Sequence, residues 1–302
     1  MNAALMAAVW ISFAPVLTPR QEVAVTTALG KLYLIGGLSG QNVLSSVEEY
    51  DPLTNRWRFI APLPAPRHHA AAAAIGNSIY VIGGYETIFF DAVKTVYRYD
   101  IFDDRWTQVA DLPAARGALA AVAINGKIYA VGGVPGGRAL TVYDPAIDSW
   151  RALPDMPTPR EHLAAAAANG ILFVAGGRMN GNTNAFECFE PGLDRWTILP
   201  PMPTARGGIA AATLHNRIYV FGGEGNPATP AGVFEQTESF DVATFTWRTE
   251  TPMPHPRHGI GAAQIGNFIF IPAGAPVQGF GTSDVNDAIT EELPPRRRSV
   301  RH

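Results

Sequence analysis

Short apolar segments alternate with turns along nearly the whole chain. In one such unit, residues 70–75 are followed by Gly76 and Asn77 and then by the apolar residues 79–82. A turn pair that tolerates positive φ between two short apolar segments is typical of a tight β-hairpin. The segments are short, are interrupted by glycine and lack a 3.6-residue period, which argues against helices. The pattern therefore predicts an all-β chain.

The predicted hairpins belong to a repeat with constant spacings. In each of six units a Gly-Gly pair, degenerate as Ala273-Gly274 in the last, begins 16 residues after an arginine, and a tryptophan lies 10 residues before that arginine. In five units an aromatic residue, followed by an acid, lies seven residues before the tryptophan. The arginines are Arg20, Arg67, Arg116, Arg160, Arg206 and Arg257, and the tryptophans are Trp10, Trp57, Trp106, Trp150, Trp196 and Trp247.

Each unit of 44 to 51 residues has room for four strands, which is the blade of a β-propeller. The last unit has Arg257 and a third apolar segment near residues 283–289, but no tryptophan follows. Trp10, at the other end of the chain, lies in the segment that can supply the missing outer strand. We therefore expect an N-terminal strand to complete the C-terminal blade and close the ring, which removes two sheet edges.

The arginine, the Gly-Gly pair, the Tyr-Asp pair and the tryptophan together resemble the kelch repeat, in five full copies and a split sixth. The resemblance covers about residues 5–289 and implies a six-bladed kelch-type β-propeller with four-stranded blades. We expect one domain over residues 1–289 and a disordered basic tail over residues 290–302. The four arginines of the tail also allow a contact arm for an acidic partner.

Composition narrows the classes of partner and compartment. Hydrophobic residues make up 47% of the chain, charged residues 16%, and the net charge is −3. We expect a monomer with a sizeable core, bound to neither nucleic acid nor membrane. The single cysteine, Cys188, cannot form an intrachain disulfide, which favours the cytoplasm. The apolar residues 3–17 leave an export signal open as the alternative, although no lysine or arginine precedes them.

Several residue types are interpreted as structural. The repeat arginines share one register with the tryptophans, and their forked donors can satisfy carbonyls between blades. Cys188 adjoins a third-strand aromatic and is interpreted as core, so we expect no Tyr-Cys copper centre like that of galactose oxidase. The histidines at positions 68, 69, 162 and 258 lack the spacings of common metal motifs. We therefore expect neither a metal nor another cofactor.

Residues that differ between blades are the candidates for function. In kelch propellers that bind ligands, the resemblance places the contacts at one mouth of the ring, directly after the repeat arginine and after the Gly-Gly pair. Glu161, His162 and Glu224 are the candidates for proton transfer, and Arg178 suits a carboxylate. A solvated polar rim is the alternative. The ligand-binding candidates are Glu22, His68, His69, Tyr85, Glu161, His162, Arg178, Asn180, Glu224, Asn226 and His258.

Two classes of function fit this surface, and the sequence leaves open whether the protein is an enzyme. The first is a binding module for a protein partner or a small polar or anionic ligand, as in kelch domains that capture proteins. The second resembles the bacterial kelch proteins that mutarotate N-acetylneuraminate, with Arg178 holding the sugar acid. A carbohydrate-binding surface without turnover, on which Tyr85 stacks against a sugar, is a third possibility.

Overall fold

Six four-stranded antiparallel sheets contain almost all of the regular structure. The structure is a computed structural model, and it describes residues 8–291 of the 302-residue chain. All elements in that range are strands, and no helix there is long and apolar enough to cross a membrane. The predicted all-β propeller class is thereby confirmed.

Each of the first five blades is a meander that runs from an inner strand to an outer strand. The chain begins with β1 (Ala8–Ser12). Blade one contains β2 (Ala24–Ala28), β3 (Lys31–Ile35), β6 (Val47–Asp51) and β7 (Arg56–Ile60), with a small hairpin of β4 (Leu38–Ser39) and β5 (Asn42–Val43). Blade two contains β8 (Ala71–Ile75), β9 (Ser78–Ile82), β10 (Val96–Asp100) and β11 (Arg105–Val109), and blade three contains β12 (Ala120–Ile124), β13 (Lys127–Val131), β14 (Leu140–Asp144) and β15 (Ser149–Leu153).

The remaining three blades complete the ring. Blade four contains β16 (Ala164–Ala168), β17 (Ile171–Ala175), β18 (Phe186–Glu190) and β19 (Arg195–Ile198). Blade five contains β20 (Ala210–Leu214), β21 (Arg217–Phe221), β22 (Thr237–Asp241) and β23 (Thr246–Thr249). Blade six contains β24 (Ala263–Ile265), β25 (Phe268–Pro272) and β26 (Asn286–Glu291), and its fourth strand is β1.

Blade six takes its outer strand from the other end of the chain, as the sequence predicts. Strand β1 pairs antiparallel with β26, and Trp10 lies opposite Ile289. Strand β26 ends at Glu291, two residues beyond the predicted domain limit of 289, so Thr290 and Glu291 belong to the sheet rather than to the tail. The rest of the predicted tail, residues 292–302, lies outside the described residues, as do residues 1–7 of the apolar N-terminal segment.

The inner strands line a channel on the axis of the ring. Most of the lining side chains are alanines, such as Ala72, Ala121, Ala165 and Ala211. Because a methyl group is small, six strands can approach the axis closely without large voids. This packing accounts for the alanine-rich first segment of each repeat.

The six tryptophans join neighbouring blades near their outer edges. Each indole N–H donates to a backbone carbonyl just after the outer strand of the preceding blade, and Trp150 donates to Ala110 at 2.8 Å. Trp10 makes the same bond to Thr251 at 3.0 Å, which carries the pattern across the closure. The other four bonds are Trp57–Ala14, Trp106–Ala61, Trp196–Pro154 and Trp247–Pro200.

The repeat arginines are buried and structural, but their side chains bind within their own blade and not between blades. The Arg206 guanidinium donates to the Gly222 carbonyl at 2.8 Å and to the Glu238 carboxylate at 2.5 Å. The link between blades comes from the backbone, since the Gly177 N–H donates to the Arg206 carbonyl at 2.9 Å. A Cβ on Gly176 would lie 2.7 Å from that carbonyl oxygen, so the close approach requires glycine.

Buried acids on the third strand pair with four of the six arginines. The pairs are Arg20–Glu48, Arg160–Glu187, Arg206–Glu238 and Arg257–Asp287. In blade three the Thr141 hydroxyl accepts from Arg116 at 2.7 Å, and in blade two Arg67 lies 5.3 Å from the Tyr97 ring centroid. In five blades this third-strand residue precedes the tryptophan by nine positions, a spacing that the sequence analysis missed.

Cys188 is expected to be unreactive in the folded protein. It is 7% exposed on β18, and burial raises the pKa of its thiol to about 11. Since the thiolate is the reactive form and the pKa is raised, the folded chain should react with Ellman's reagent much more slowly than a free thiol at mildly alkaline pH. Unfolding in urea should release one fast-reacting thiol per chain. Rapid stoichiometric reaction of the native protein would contradict this placement.

Candidate functional site

The two sets of positions that the sequence assigns to the mouth are hydrogen-bonded to each other. In every blade the residue after the repeat arginine forms an antiparallel bridge with the residue after the glycine pair. The six bridges are Gln21–Leu38, His68–Tyr85, Gly117–Val134, Glu161–Arg178, Gly207–Glu224 and His258–Ala275. The two loop sets therefore form one continuous surface at one end of the ring.

The second residue after each arginine belongs to a closed ring of backbone hydrogen bonds. Each N–H donates to the carbonyl of the equivalent residue in the preceding blade, with N···O distances of 2.7 to 3.1 Å. All six members have left-handed backbone, with φ between 50° and 69°. Glycine adopts this conformation at the least cost, yet three positions carry Glu or His. The members are Glu22, His69, Ala118, His162, Gly208 and Gly259.

Three side chains of this ring meet at the mouth. His69 Nε2 lies 3.1 Å from Glu22 Oε2 and 3.0 Å from His162 Nε2. All three line a cavity of about 140 Å³, together with Arg178 and Glu224. The small residues at the other ring positions leave the centre of the mouth to these polar groups.

A chain of hydrogen bonds orients His68 and His69. His68 Nε2 lies 2.9 Å from the Thr87 carbonyl oxygen, so this nitrogen carries the proton and donates. His68 Nδ1 then accepts from His69 Nδ1 at 2.6 Å, and this network assigns the lone pair of His69 to Nε2. Burial lowers the pKa of His69 to about 3, so its ring is neutral near neutral pH.

Arg178 connects two carboxylates across blades four and five. Its Nε donates to Glu161 at 2.9 Å and its terminal nitrogen donates to Glu224 at 2.5 Å. Burial opposes the charge, but Glu224 and Glu161 outweigh it and raise the pKa of the Arg178 guanidinium. Glu161 also accepts from His162 Nδ1. A ligand carboxylate would therefore compete with two protein carboxylates for Arg178.

His258 completes the polar cluster from blade six. Its Nε2 donates to the Val277 carbonyl at 3.0 Å, and its Nδ1 lies 3.6 Å from both Glu22 and Glu224. Burial lowers the pKa of His258, but the nearby carboxylates of Glu22 and Glu224 raise it overall. Burial likewise disfavours the charge of Glu22, but His69, His258 and His162 outweigh it and lower the Glu22 pKa. Glu22 is thus an ionised carboxylate among imidazoles.

Exposed apolar side chains lie in the loops that carry this polar cluster. Phe89, Phe90 and Phe280 are 79%, 46% and 63% exposed, and Met179 and Val277 are also exposed. Phe90 and Phe280 line the same cavity as the Glu and His side chains. We call these five residues the apolar rim. The mouth therefore combines a buried, charged floor with an exposed aromatic edge.

The structure brings together eight of the eleven predicted ligand-binding residues: Glu22, His68, His69, Glu161, His162, Arg178, Glu224 and His258. Tyr85 is 3% exposed and lies against Phe90, with ring centroids 5.1 Å apart, so its faces are not open to a sugar. The Asn226 amide donates to Val233 within its own loop. Asn180 is exposed and does not line the cavity.

Sequence reasoning missed three residues that shape the mouth. The Asn182 amide donates to the Glu224 carbonyl at 2.7 Å and links two blades. Phe90 and Phe280 each lie six residues after the second residue of their glycine pair, Gly84 or Gly274. That shared offset is a sequence signal that would have found both aromatic residues.

Models of known families match most of the described chain. The KLHDC2/KLHL20/DRC7 Kelch-repeats domain matches residues 10–133, and the Kelch motif matches residues 115–157, 159–203 and 205–254. With six four-stranded blades, these matches define a kelch-type β-propeller. The chain belongs to the kelch-repeat family.

Relatives share the repeats and differ in length. Kelch-like protein 35 of Mus musculus is 37% identical over 75 residues, which are 25% of this chain and 13% of that protein. An F-box/kelch-repeat protein of Arabidopsis thaliana is 36% identical over 70 residues, 23% of this chain and 17% of that protein. The match therefore spans less than a fifth of either relative. A solved structure described as "Structure of YjhT" has a TM-score of 0.78 at 16% identity and covers 90% of this chain and 95% of that chain, which supports the fold.

Proposed function

We propose that this protein is a kelch-repeat binding module that holds an exposed segment of a protein partner in the mouth of the propeller. Kelch propellers commonly bind protein partners. The observation that carries the proposal is the apolar rim around a buried polar floor. A small polar ligand in the same cavity is the alternative occupant.

The apolar rim has the chemistry of a protein-binding surface. Exposed aromatic side chains grouped around one cavity are uncommon on a monomer surface and mark places where a partner buries apolar area. Phe90 and Phe280 approach the cavity from blades two and six, so one segment can contact both. Aromatic anchors beside a polar centre are typical of binding hot spots.

The charged floor favours some ligands over others. Glu22, Glu161 and Glu224 supply three carboxylates, and Arg178 already pairs with two of them. This arrangement favours a segment that presents N–H donors or a cationic group over an anionic one. A small anionic ligand, which the sequence also allows, therefore fits this floor less well than a segment that presents N–H donors or a cationic group.

The test is a selection from a random peptide display library on the wild-type protein, followed by affinity measurements on rim variants. Phe90→Ser combined with Phe280→Ser should weaken the selected peptides by at least about tenfold, because truncating an aromatic anchor usually costs more than about 1 kcal/mol. Phe102→Ser is the matched control, since Phe102 is 76% exposed in the turn at the opposite end of blade two. Equal binding by the rim variant and the wild type would place the binding surface elsewhere.

A sugar-acid mutarotase remains the second candidate, because Glu161 and His162 form a hydrogen-bonded carboxylate–imidazole pair at the mouth. The engagement of Arg178 with two carboxylates counts against it. NMR of anomeric exchange in N-acetylneuraminate separates the two functions. Exchange at the uncatalysed rate in the presence of the protein removes the mutarotase, and accelerated exchange that Glu161→Gln abolishes would support it.

A further inference from the structure

Three side chains with metal-ligand atoms converge at the mouth from three different blades. We propose that Glu22 Oε2, His69 Nε2 and His162 Nε2 bind one divalent transition-metal ion. The three atoms lie within 4.8 Å of one another. The inference is independent of the peptide-binding proposal, since it concerns the floor of the cavity and not the apolar rim.

The distances suit a shared ion. His69 Nε2 lies 3.1 Å from the Glu22 oxygen and 3.0 Å from His162 Nε2. Ligand atoms at about 2.0 to 2.1 Å from a tetrahedral zinc ion are separated from one another by roughly 3.3 Å. Two of the three separations are therefore already close to those of a coordination shell.

The tautomers assigned by the hydrogen-bond network direct lone pairs inward. His69 donates through Nδ1 to His68, whose other nitrogen donates to the Thr87 carbonyl. His162 Nδ1 contacts Glu161, which as a carboxylate can only accept, so Nδ1 carries a proton and Nε2 is the nitrogen available to a metal. The two Nε2 atoms and a Glu22 oxygen then face one another, an arrangement that a shared cation would stabilise.

The outer contacts are those of a metal site. Metal-binding histidines usually donate their other N–H to a carboxylate or a carbonyl, which fixes the tautomer and the ring orientation. Glu161 performs this role for His162, and the His68–Thr87 chain performs it for His69. This support comes from residues that are not themselves among the three ligands.

A fourth buried imidazole lies beside the three proposed ligands. His258 is 1% exposed, its Nε2 donates to a carbonyl, and its Nδ1 has no hydrogen-bond partner among the described residues. That nitrogen lies 3.6 Å from Glu22 and 3.6 Å from Glu224. His258 is therefore a neighbour of the proposed ligand Glu22 and is not itself counted among the three ligands.

Zinc is the metal that this ligand set fits best. Two imidazoles and one carboxylate are the protein ligands of zinc sites that keep an open fourth position, and related divalent metals accept the same set. The sequence predicted no metal, because the ligands are separated by 47 and 93 residues and form no local motif. Only the closed ring of backbone hydrogen bonds brings them together.

The experiment titrates tag-free, chelator-treated protein with Co²⁺, followed by visible absorption, and with Zn²⁺, followed by calorimetry. We expect one equivalent of each metal, d–d absorption for Co²⁺, and displacement of Co²⁺ by Zn²⁺. His69→Asn and His162→Asn should each weaken binding by at least about a hundredfold, more than the loss of an outer-shell contact. Asparagine tolerates the left-handed backbone of both positions, so these variants should fold.

His215→Asn is the matched control, because His215 also has left-handed backbone, with φ of 46°, and lies outside the cluster. It should bind both metals as the wild type does. Metal should also raise the melting temperature of the wild type and of His215→Asn, but not that of His69→Asn. The proposal is overturned if the wild type binds no stoichiometric metal, or if both cluster variants bind metal with wild-type affinity. In either case, a proton shared among Glu22, His69 and His162 would be the charge that holds the cluster together.

Discussion

Deletion of residues 1–14 is expected to abolish the cooperative thermal unfolding of the protein or to lower its melting temperature drastically. The deletion removes β1, which leaves β26 as an unpaired edge, and it removes the Trp10 bond to Thr251. It also removes Phe13, whose ring contacts Tyr50 of blade one and Phe270 of blade six. Each large side chain is worth about 2 to 3 kcal/mol and each hydrogen bond about 1 kcal/mol. The sum is comparable to the total stability of about 5 to 15 kcal/mol of a typical protein.

Deletion of residues 1–7 is the control, because it leaves β1 whole. Melting followed by circular dichroism and size-exclusion chromatography should show a native-like protein for the shorter deletion and an unfolded or aggregated one for the longer. Trp10→Ala should lie between them. If the chain that lacks residues 1–14 melts at the wild-type temperature, the ring does not depend on its N-terminal strand.

Most of the fold could be predicted because each repeated residue satisfies the same local requirement in every blade. Trp150 and its equivalents donate to the preceding blade, and Gly176 and its equivalents allow the next blade to approach. Side chains with such fixed partners stay at fixed spacings along the chain, and these spacings are visible in the amino-acid sequence alone. The same spacing predicted that the N-terminal strand closes the ring, because Trp10 belongs to no complete N-terminal repeat and the last repeat lacks a tryptophan.

The partners of the repeat arginines could not be predicted as directly, because their chemistry varies. Four blades use a carboxylate on the third strand, but blade three uses Thr141. In blade two the third-strand residue is Tyr97, and Arg67 pairs instead with Glu86 from the loop after the glycine pair. A search for a repeated acid fails in those two blades, and the third-strand position emerges only when it is counted back from the tryptophan. The arginine side chain points into its own blade because of how the side chains pack, and the residue spacing in the sequence does not reveal that direction.

The candidate site was predictable in its position and not in its contacts. The register from Arg and Gly-Gly located Glu22, His69 and His162, because the backbone at those positions is the same in each blade. The loops beyond the glycine pair differ in length, so sequence did not show that Phe90 covers Tyr85. Contacts between side chains from different blades depend on the closed ring, which no local pattern describes.

Arg206→Leu is expected to destabilise the protein by about 3 to 5 kcal/mol, because it leaves the Glu238 carboxylate buried without its cation. Arg206 is 0% exposed and Glu238 is 1% exposed, and their side chains are 2.5 Å apart. Glu238→Leu should cost a similar amount, since Arg206 then retains only carbonyls as acceptors. Denaturation in guanidinium chloride, with circular dichroism as the signal, measures each loss.

The double variant Arg206→Leu/Glu238→Leu distinguishes the desolvation of the charges from the loss of packing. Removing both charges removes the cost of burying either alone, so the double variant should be more stable than both single variants. Arg195→Leu is the control, because its pair with Glu190 is 62% and 30% exposed and should contribute less than about 1 kcal/mol. Two results would contradict this: the stability losses of the single variants add in the double variant, or Arg206→Leu loses no more stability than Arg195→Leu. Either result would show that the repeat arginine stabilises its blade through its bonds to carbonyls and the packing of its aliphatic stem. The acid on the third strand would then be dispensable, as Thr141 and Tyr97 of blades three and two already suggest for their own positions.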